Sequence, residues 1–415
     1  MLNLSLELYS FNLNEIINLV IDYRGKTPKK LGLTWTDSGF RALSAKNIKT
    51  GKIVQPDTIR FVGKKLYYLW MKEEVKRNDI LITSEAPFGE IFFWDSDEKI
   101  VLSQRLFAIR CNEKKVYPKF IYFYMTSSKF QWELKSRATG TTVKGLRQSE
   151  LLKCNLHIPN FSLQVKIAKI LSNIEDKIKI NEKINKKLDK ILKEIFKNRF
   201  IRFEKYKKSN EMQINDEFGE IPKNWSVEML EDYVDFISGI EPGSKNYQEN
   251  KCDDCIPFIR VGDLGSRDNM VYINKKFSKN KLLKSTDIVL SLDATLGLVK
   301  IGLNGAYSTG MRKLVIKNNK INRVFLYCLV KSKRIQNTIE NFATGTTILH
   351  AGKSIKHMNF VLPDEKTMIQ FNKIGEPIFL KILENKLEID KLTKLRDILL
   401  PKLMSGEINV SNIKI

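Results

Sequence analysis

The sequence predicts an α+β fold: two homologous mixed α/β domains separated by two long antiparallel helices that pair as a coiled coil, with an internal pseudo-twofold. Three observations predict it. The pentapeptide ATGTT stands at 138–142 and again at 343–347. Matching residues surround both copies in the same order. Each half then closes on a long stretch in which apolar residues recur every three or four positions, the period of a helix face.

The matches extend well beyond the pentapeptide. Ser103, Phe120, Tyr122, Ser127 and Gln131 fall on Ser308, Phe325, Tyr327, Ser332 and Gln336, each offset by 205. Upstream, Asp79, Ile80, Ala86 and Gly89 fall on Asp287, Ile288, Ala294 and Gly297, offset by 208. Gly25-x-x-Pro28 is matched by Gly239-x-x-Pro242, and Ile158-Pro159 by Leu362-Pro363. Chance recurrence of one pentapeptide would not bring ordered neighbours with it. A period of about 200 residues is too long for a solenoid unit, so the repeat is a whole domain.

Each half opens with short β-branched and aromatic runs bounded by turn residues. ILITSEA, EIFFW and RLFAIRC in the first half, and DIVLSLDA and LVKIGL in the second, are predicted strands. A predicted helix follows at 119–136 and at 323–342, then the ATGTT loop, then an extended stretch ending at Pro159 or Pro363. In the first long helix Ile167, Ile170, Ile174, Asn181, Ile184, Leu188, Ile191 and Ile195 follow the helical spacing, with Ile178 beside them. In the second, Phe371, Ile374, Ile378, Ile382, Asn385, Leu392, Leu395 and Leu399 do so, with Leu387 standing in at one seam position. The seam therefore centres on Ile174, Asn181 and Leu188 in one helix and Ile378, Asn385 and Leu392 in the other. Both copies place Asn at the same seam position, where a buried Asn facing another Asn fixes register. Pro377 is expected to end a short helix and start the long one, since Pro is tolerated in a first turn. A helix of about 35 residues spans roughly 50 Å, more than one small domain needs. The polar segment 204–225 reads as a linker.

The resulting division is 1–162 for the first domain, 163–203 for the first helix and 204–222 for the linker. It continues with 223–363 for the second domain, 364–404 for the second helix and 405–415 for a tail.

Composition narrows the function. Of 415 residues 71 are Lys or Arg and 47 are Asp or Glu, a net charge of +24, and the usual partner of such a field is nucleic acid. Lysines that merely solvate long helix faces are the plainer account of the same excess. No apolar run reaches the roughly 18 residues of a membrane span, so no membrane is expected. The N-terminus lacks the basic start of a secretory signal. Five cysteines in a chain this long fit a reducing cytoplasm rather than a disulfide scaffold.

Several motifs tempt and fail. GTTILHAGKS (345–354) separates Gly345 from Gly352 by six residues, where a phosphate-binding loop allows four. Cys252-Asp-Asp-Cys255 is a lone pair with no partner pair for zinc, and reads more simply as a surface turn. Asp79 and Asp97-Glu98-Lys99 have the residue types of a metal nuclease, but the second repeat keeps only Asp287. The two aspartates are expected in turns before buried strands. Neither a methyltransferase Asn-Pro-Pro-Tyr motif nor a dinucleotide fingerprint occurs. No catalytic residue and no metal ligand is assigned.

The organisation resembles the specificity subunit of type I restriction–modification systems. The residues that carry this are GEIPKNW (219–225), the two Gly-x-x-Pro segments, the two ATGTT loops, the Ile-Pro and Leu-Pro that follow, and LLPKLMSGEINV (399–410). The resemblance covers essentially the whole chain, although the first half lacks the G-x-I-P-x-x-W opening. It implies two target-recognition domains, each reading one half of a bipartite, asymmetric site in double-stranded DNA. The helices would set the spacer and dock two methyltransferase subunits, and motor–nuclease subunits would join them. It implies no catalysis and no bound cofactor in this chain. S-adenosylmethionine, ATP and Mg²⁺ would belong to the partners.

Base readout needs polar side chains on groove-facing loops, and Lys or Arg on phosphates supplies affinity and register. The candidates in the first domain are Arg24, Lys26, Ser84, Gln104, Arg105, Thr141, Thr142, Lys144 and Arg147. In the second they are Ser244, Lys245, Arg260, Thr309, Arg312, Thr346, Thr347, His350 and Lys353. Specificity is expected where the repeats differ, with VKGLRQ facing ILHAGKS and Ser103-Gln104-Arg105 facing Ser308-Thr309-Gly310. Gly140 and Gly345 are expected to supply a turn that a side chain would hinder. Two alternatives stay open on residues alone: a stand-alone metal-dependent nuclease, and a coiled-coil scaffold with incidental charge.

Overall fold

The computed structural model describes residues 7–140, 144–207, 211–265 and 270–413. The chain forms two compact units. One comprises the residues through Lys177 together with those from Leu392 onward; the other is Ile178–Lys391.

The repeat is visible in the main sheets. The first unit holds a four-stranded antiparallel sheet in the order Ile17–Asp22, Leu106–Cys111, Ile80–Thr83, Ile91–Phe93. The second holds Val234–Ser238, Met311–Ile316, Ile288–Ser291 and Val299–Lys300 in the same order. A second sheet, three-stranded in the first unit and four-stranded in the second, contains one parallel pair in each, Phe40–Leu43 with Ile100–Leu102 and Cys255–Ile259 with Gly305–Tyr307. The matched serines leave these strands alike: Ser103 donates its N–H to Leu43 O (2.7 Å) and Ser308 to Ile259 O (2.9 Å).

The aspartates of both repeats sit in turns before buried strands, as expected. Asp79 accepts the Lys76 N–H (2.8 Å) and pairs with Arg110 (2.8 Å); Asp287 accepts the Lys284 N–H (2.7 Å) and pairs with Lys313 (2.8 Å). Asp79 is fully buried, a position a carboxylate holds only when paired. Asp97, Glu98 and Lys99 are instead ion-paired to Arg77, Arg41 and Glu74. The described residues contain no group of three or more His, Cys, Asp or Glu able to hold a metal ion.

The single helix expected in each half is two. Pro118–Thr126 is followed by Ser128–Ser136, and Arg323–Val330 by Lys333–Asn341. The breaks fall on Ser127 and Ser332, whose hydroxyls accept the N–H of Phe130 and Ile335 as N-caps. Periodicity alone missed these caps because apolar residues continue across them. The start of the first domain is also resolved. Tyr9–Asn12 pairs with Asn155–Ile158 as Ser226–Met229 pairs with Asn359–Leu362, without any tryptophan motif.

Segment 204–225 is not a free linker. It contains the antiparallel pair Met212–Asn215 and Gly219–Pro222, and buries Ile221 and Trp225 in the second unit's core. Trp225 Nε1 donates to Asp364 Oδ2 (2.8 Å), and the Tyr206 hydroxyl donates to the same oxygen (2.9 Å). Asp364 also accepts the Thr367 N–H (2.8 Å) and so caps the second long helix.

The long helices are Phe161–Phe200 and Glu365–Met404, 40 residues each. Pro377 starts no new helix; it lies inside the second one. It is exposed, so water can serve the Lys373 carbonyl whose intrahelical bond it removes. Within the second unit the helices run antiparallel: Asn181 bonds Glu388 (2.8 Å), Asn185 bonds Ile382 O (3.2 Å), and the Phe196 and Phe371 rings lie 6.0 Å apart. Asn181 and Asn385 are both buried, but each side-chain amide donates elsewhere, to Glu388 and to Asn185. The seam also differs in its apolar members. Ile184, Ile191, Ile374 and Leu395 are exposed; Ile382 is buried as expected, but so are Leu192, Phe196, Phe379 and Leu383, which the spacing did not include. Phe196 packs on Phe325 as well as on Phe371, so the helix buries a face shared between its partner helix and the domain body. Of the central seam residues, Ile174 is buried, and Leu188, Ile378 and Leu392 are partly so.

Cys252 and Cys255 are joined by a disulfide across the turn, where the composition led us to expect free thiols. No helix of the described residues is long and apolar enough to cross a membrane.

Candidate nucleic-acid interface

The loops that differ between repeats are held by a frame that does not. Gly140 and Gly345 both lie in the left-handed region, at φ 99° and 105°. A side chain at 345 would meet Ile348 O at 2.2 Å, so glycine is required there. The flanking backbone closes identically. Thr139 and Gly145 exchange both backbone hydrogen bonds (2.9 and 2.7 Å), as do Thr344 and His350 (2.9 and 2.8 Å). Each closed loop is then tied to the loop after the central strand, by Leu146 N–H to Ser84 O (2.9 Å) and Ala351 N–H to Leu292 O (2.7 Å). That neighbouring loop turns at Ala86 and Ala294, both at positive φ (41° and 59°).

In the first unit this arrangement borders an open groove of about 740 Å³. It brings together Arg24, Ser84, Gln104, Arg105 and Arg147 from four separated segments. Gln104, Arg105, Lys144 and Arg147 are exposed. Arg24 contributes structure more than reach: its guanidinium is bound to Asp22 (2.6 Å) and Leu146 O (3.0 Å). Lys26 is not a groove-lining residue. Its ammonium donates to Trp70 O (2.9 Å) beside the Tyr23 ring, and burial, then Lys72, holds its pKa below the usual lysine value. Thr141 and Thr142 lie outside the described residues.

In the second unit Thr309, Thr346, Thr347, His350 and Lys353 are exposed. Arg312 donates to the carbonyls of Thr309 and Met311. Leu292 and Asp293 donate their N–H groups to Gly310 O (2.9 and 3.2 Å), which places the Thr309-Gly310 turn beside the Asp293–His350 pair. Arg260 is engaged by Asp263 (2.9 Å), and Ser244 and Lys245 are exposed on a separate short turn.

Two carboxylates that the charge and hydroxyl pattern does not single out also border these loops. Glu85 lines the first groove and pairs with Arg105 (3.1 Å); Asp293 Oδ1 lies 2.8 Å from His350 Nδ1. The signal that marks them is their common position in the repeat, 208 residues apart.

One frame written twice, presenting two unlike polar surfaces, defines a tandem recognition protein rather than a duplicated catalyst. The chain belongs to the type I restriction modification DNA specificity family, whose domain model matches residues 7–190 and again 222–398. It is 31% identical over 350 residues to the type I restriction enzyme MjaIX specificity subunit of Methanocaldococcus jannaschii, covering 81% of this chain and 79% of that one. The HindI specificity subunit of Haemophilus influenzae is 24% identical over 405 residues, covering 81% and 88%. Among solved structures, the S subunit of a type I restriction–modification system from M. genitalium shares the fold, with a TM-score of 0.60 at 17% identity and 97% of both chains covered.

Proposed function

We propose that this chain is the DNA-recognition subunit of a type I restriction–modification complex, and that each domain reads one half of a bipartite, asymmetric site. It is a specificity subunit and not an enzyme; the chemistry belongs to its partners. One observation carries the two-half-site reading: identical loop closures at Thr139–Gly145 and Thr344–His350 display different side chains, so two equally built sites face different sequences. Lys144, Arg147 and Lys353 would neutralise phosphates, while Gln104, Arg105, Thr309 and His350 would face base edges.

The long helices would set the spacer and dock two methyltransferase subunits, with motor–nuclease subunits completing the cytoplasmic complex. S-adenosylmethionine, ATP and Mg²⁺ would be bound by those partners. The test is to assemble the chain with its methyltransferase subunits and map the methylated adenines. Four residues inserted after Asn181 add about one helical turn, and the gap between half-sites should change. An unchanged gap overturns the spacer role, and the absence of any defined methylated sequence overturns DNA recognition itself.

A further inference from the structure

Glu85 and Asp293 are carboxylates placed where a polyanion is expected to bind. In a chain of net charge +24, an acid at this position opposes phosphate: two unit charges 4 Å apart repel by about 1 kcal/mol even in bulk water. Both repeats nevertheless put an acid at the same place, directly before the alanine that turns the loop at positive φ. Each acid is held by a group from a different segment. Arg105 Nε lies 3.1 Å from Glu85 Oε1, and His350 Nδ1 lies 2.8 Å from Asp293 Oδ1. Arg105 itself adopts φ 60°, a conformation unusual for a side-chain-bearing residue. Such backbone persists where surrounding structure holds a side chain in a required position.

What rewards a carboxylate in a DNA groove is an amino group. In the major groove only cytosine N4 and adenine N6 donate, and an acidic side chain is the complementary acceptor. Guanine and thymine offer acceptors at the corresponding edge, which a carboxylate repels. We propose that Glu85 and Asp293 are specificity-determining residues, each accepting from the exocyclic amino group of a cytosine or adenine in one half-site. Arg105 and His350 are their positioning residues. Beside the acid, the Arg105 guanidinium offers a base donors only, whereas the His350 imidazole presents its second ring nitrogen, a different group. The two domains then combine the same acid with different neighbours, which is one way for a duplicated frame to read unlike sequences.

The inference rests on the DNA-recognition reading above. Its test uses the full chain assembled with its methyltransferase subunits, acting on a library of randomised sites. Glu85→Gln and Asp293→Asn are each compared with the parent, with Glu85→Ala as a second variant. Glu85→Gln should lose roughly tenfold or more of the base preference at one position of one half-site. It should leave the other half-site and the gap unchanged, which also shows that the variant is folded. Asp293→Asn should change the opposite half-site. Unaltered base preference in all three variants, or uniform weakening at every position, overturns the assignment and leaves the acids as loop braces. A parent complex without a defined site overturns the DNA-recognition reading instead.

Discussion

Asn385 donates its side-chain amide to Asn185 Oδ1 at 2.9 Å, and not to Asn181, the residue that occupies its own place in the first repeat. Asn185 in turn donates to Ile382 O (3.2 Å), and Asn181 finds Glu388 (2.8 Å). The pair of helices is therefore not locked by a symmetric asparagine contact. Its polar bonds follow three different rules within two helical turns.

Replacing Asn385 by Ala should destabilise the second unit by about 1–3 kcal/mol, because Asn185 loses the donor facing its carbonyl in a buried seam. Asn185→Leu with Asn385→Leu should cost less than the two single changes added together, since no partner is then stranded. Denaturant unfolding of the four chains gives the coupling directly; an additive result would show that the bond has no such role.

Asp364 gives the second unit a pH dependence. Burial raises its pKa, but the Thr367 N–H, the Thr367 hydroxyl, Trp225 and Tyr206 together outweigh this and hold it below the usual aspartate value. A depressed carboxyl stabilises the fold above its unfolded pKa and loses that contribution as pH falls through the folded value. Stability should thus be full above about pH 5 and decline below about pH 4. Asp364→Asn should flatten that acid limb, measured as thermal midpoint against pH.

Gly345→Ala forces a methyl group against Ile348 O in a left-handed turn and should cost on the order of 1 kcal/mol or more. The local consequence is the more telling one. The loop carrying His350 should shift, and methylation mapping should show weakened recognition of one half-site with the other retained.

Lys144→Ala and Lys353→Ala should weaken DNA binding almost equally for all sequences. Each should lower the slope of log affinity against log salt by about one unit if the lysine meets a phosphate. Titrations at several salt concentrations distinguish this from a base contact, which would change sequence preference and leave the slope alone.

Much of the architecture was legible because duplication turns weak local signals into paired ones. Asp79 and Asp287, Ser127 and Ser332, and Gly140 and Gly345 each show the same structural duty at both positions. What was misread lay where two kinds of neighbour compete. Ile184 and Ile191 satisfy helical spacing yet are exposed, because Phe325 and the domain body claim the adjoining face through Phe196. Segment 204–225 is polar enough to pass for a linker, and only Trp225, through its bond to Asp364, reveals that it is built in. Around the variable loops, net charge points to lysine and arginine. It could not show that Arg24 and Lys26 are committed to Asp22 and the Trp70 carbonyl, nor that Glu85 stands among the cations.

The residues from Leu392 onward join the unit that begins the chain, where Leu403, Met404 and Val410 are buried in its core and Lys166 bonds the Ser411 carbonyl (2.6 Å). Modularity in this chain consequently follows space and not reading order. A hybrid made by splicing at a single point near the middle would inherit a first domain from one parent and its last piece of core from the other. Clean transfer of specificity requires exchanging only the segment between the first strand and Pro159, or moving both ends of the chain together.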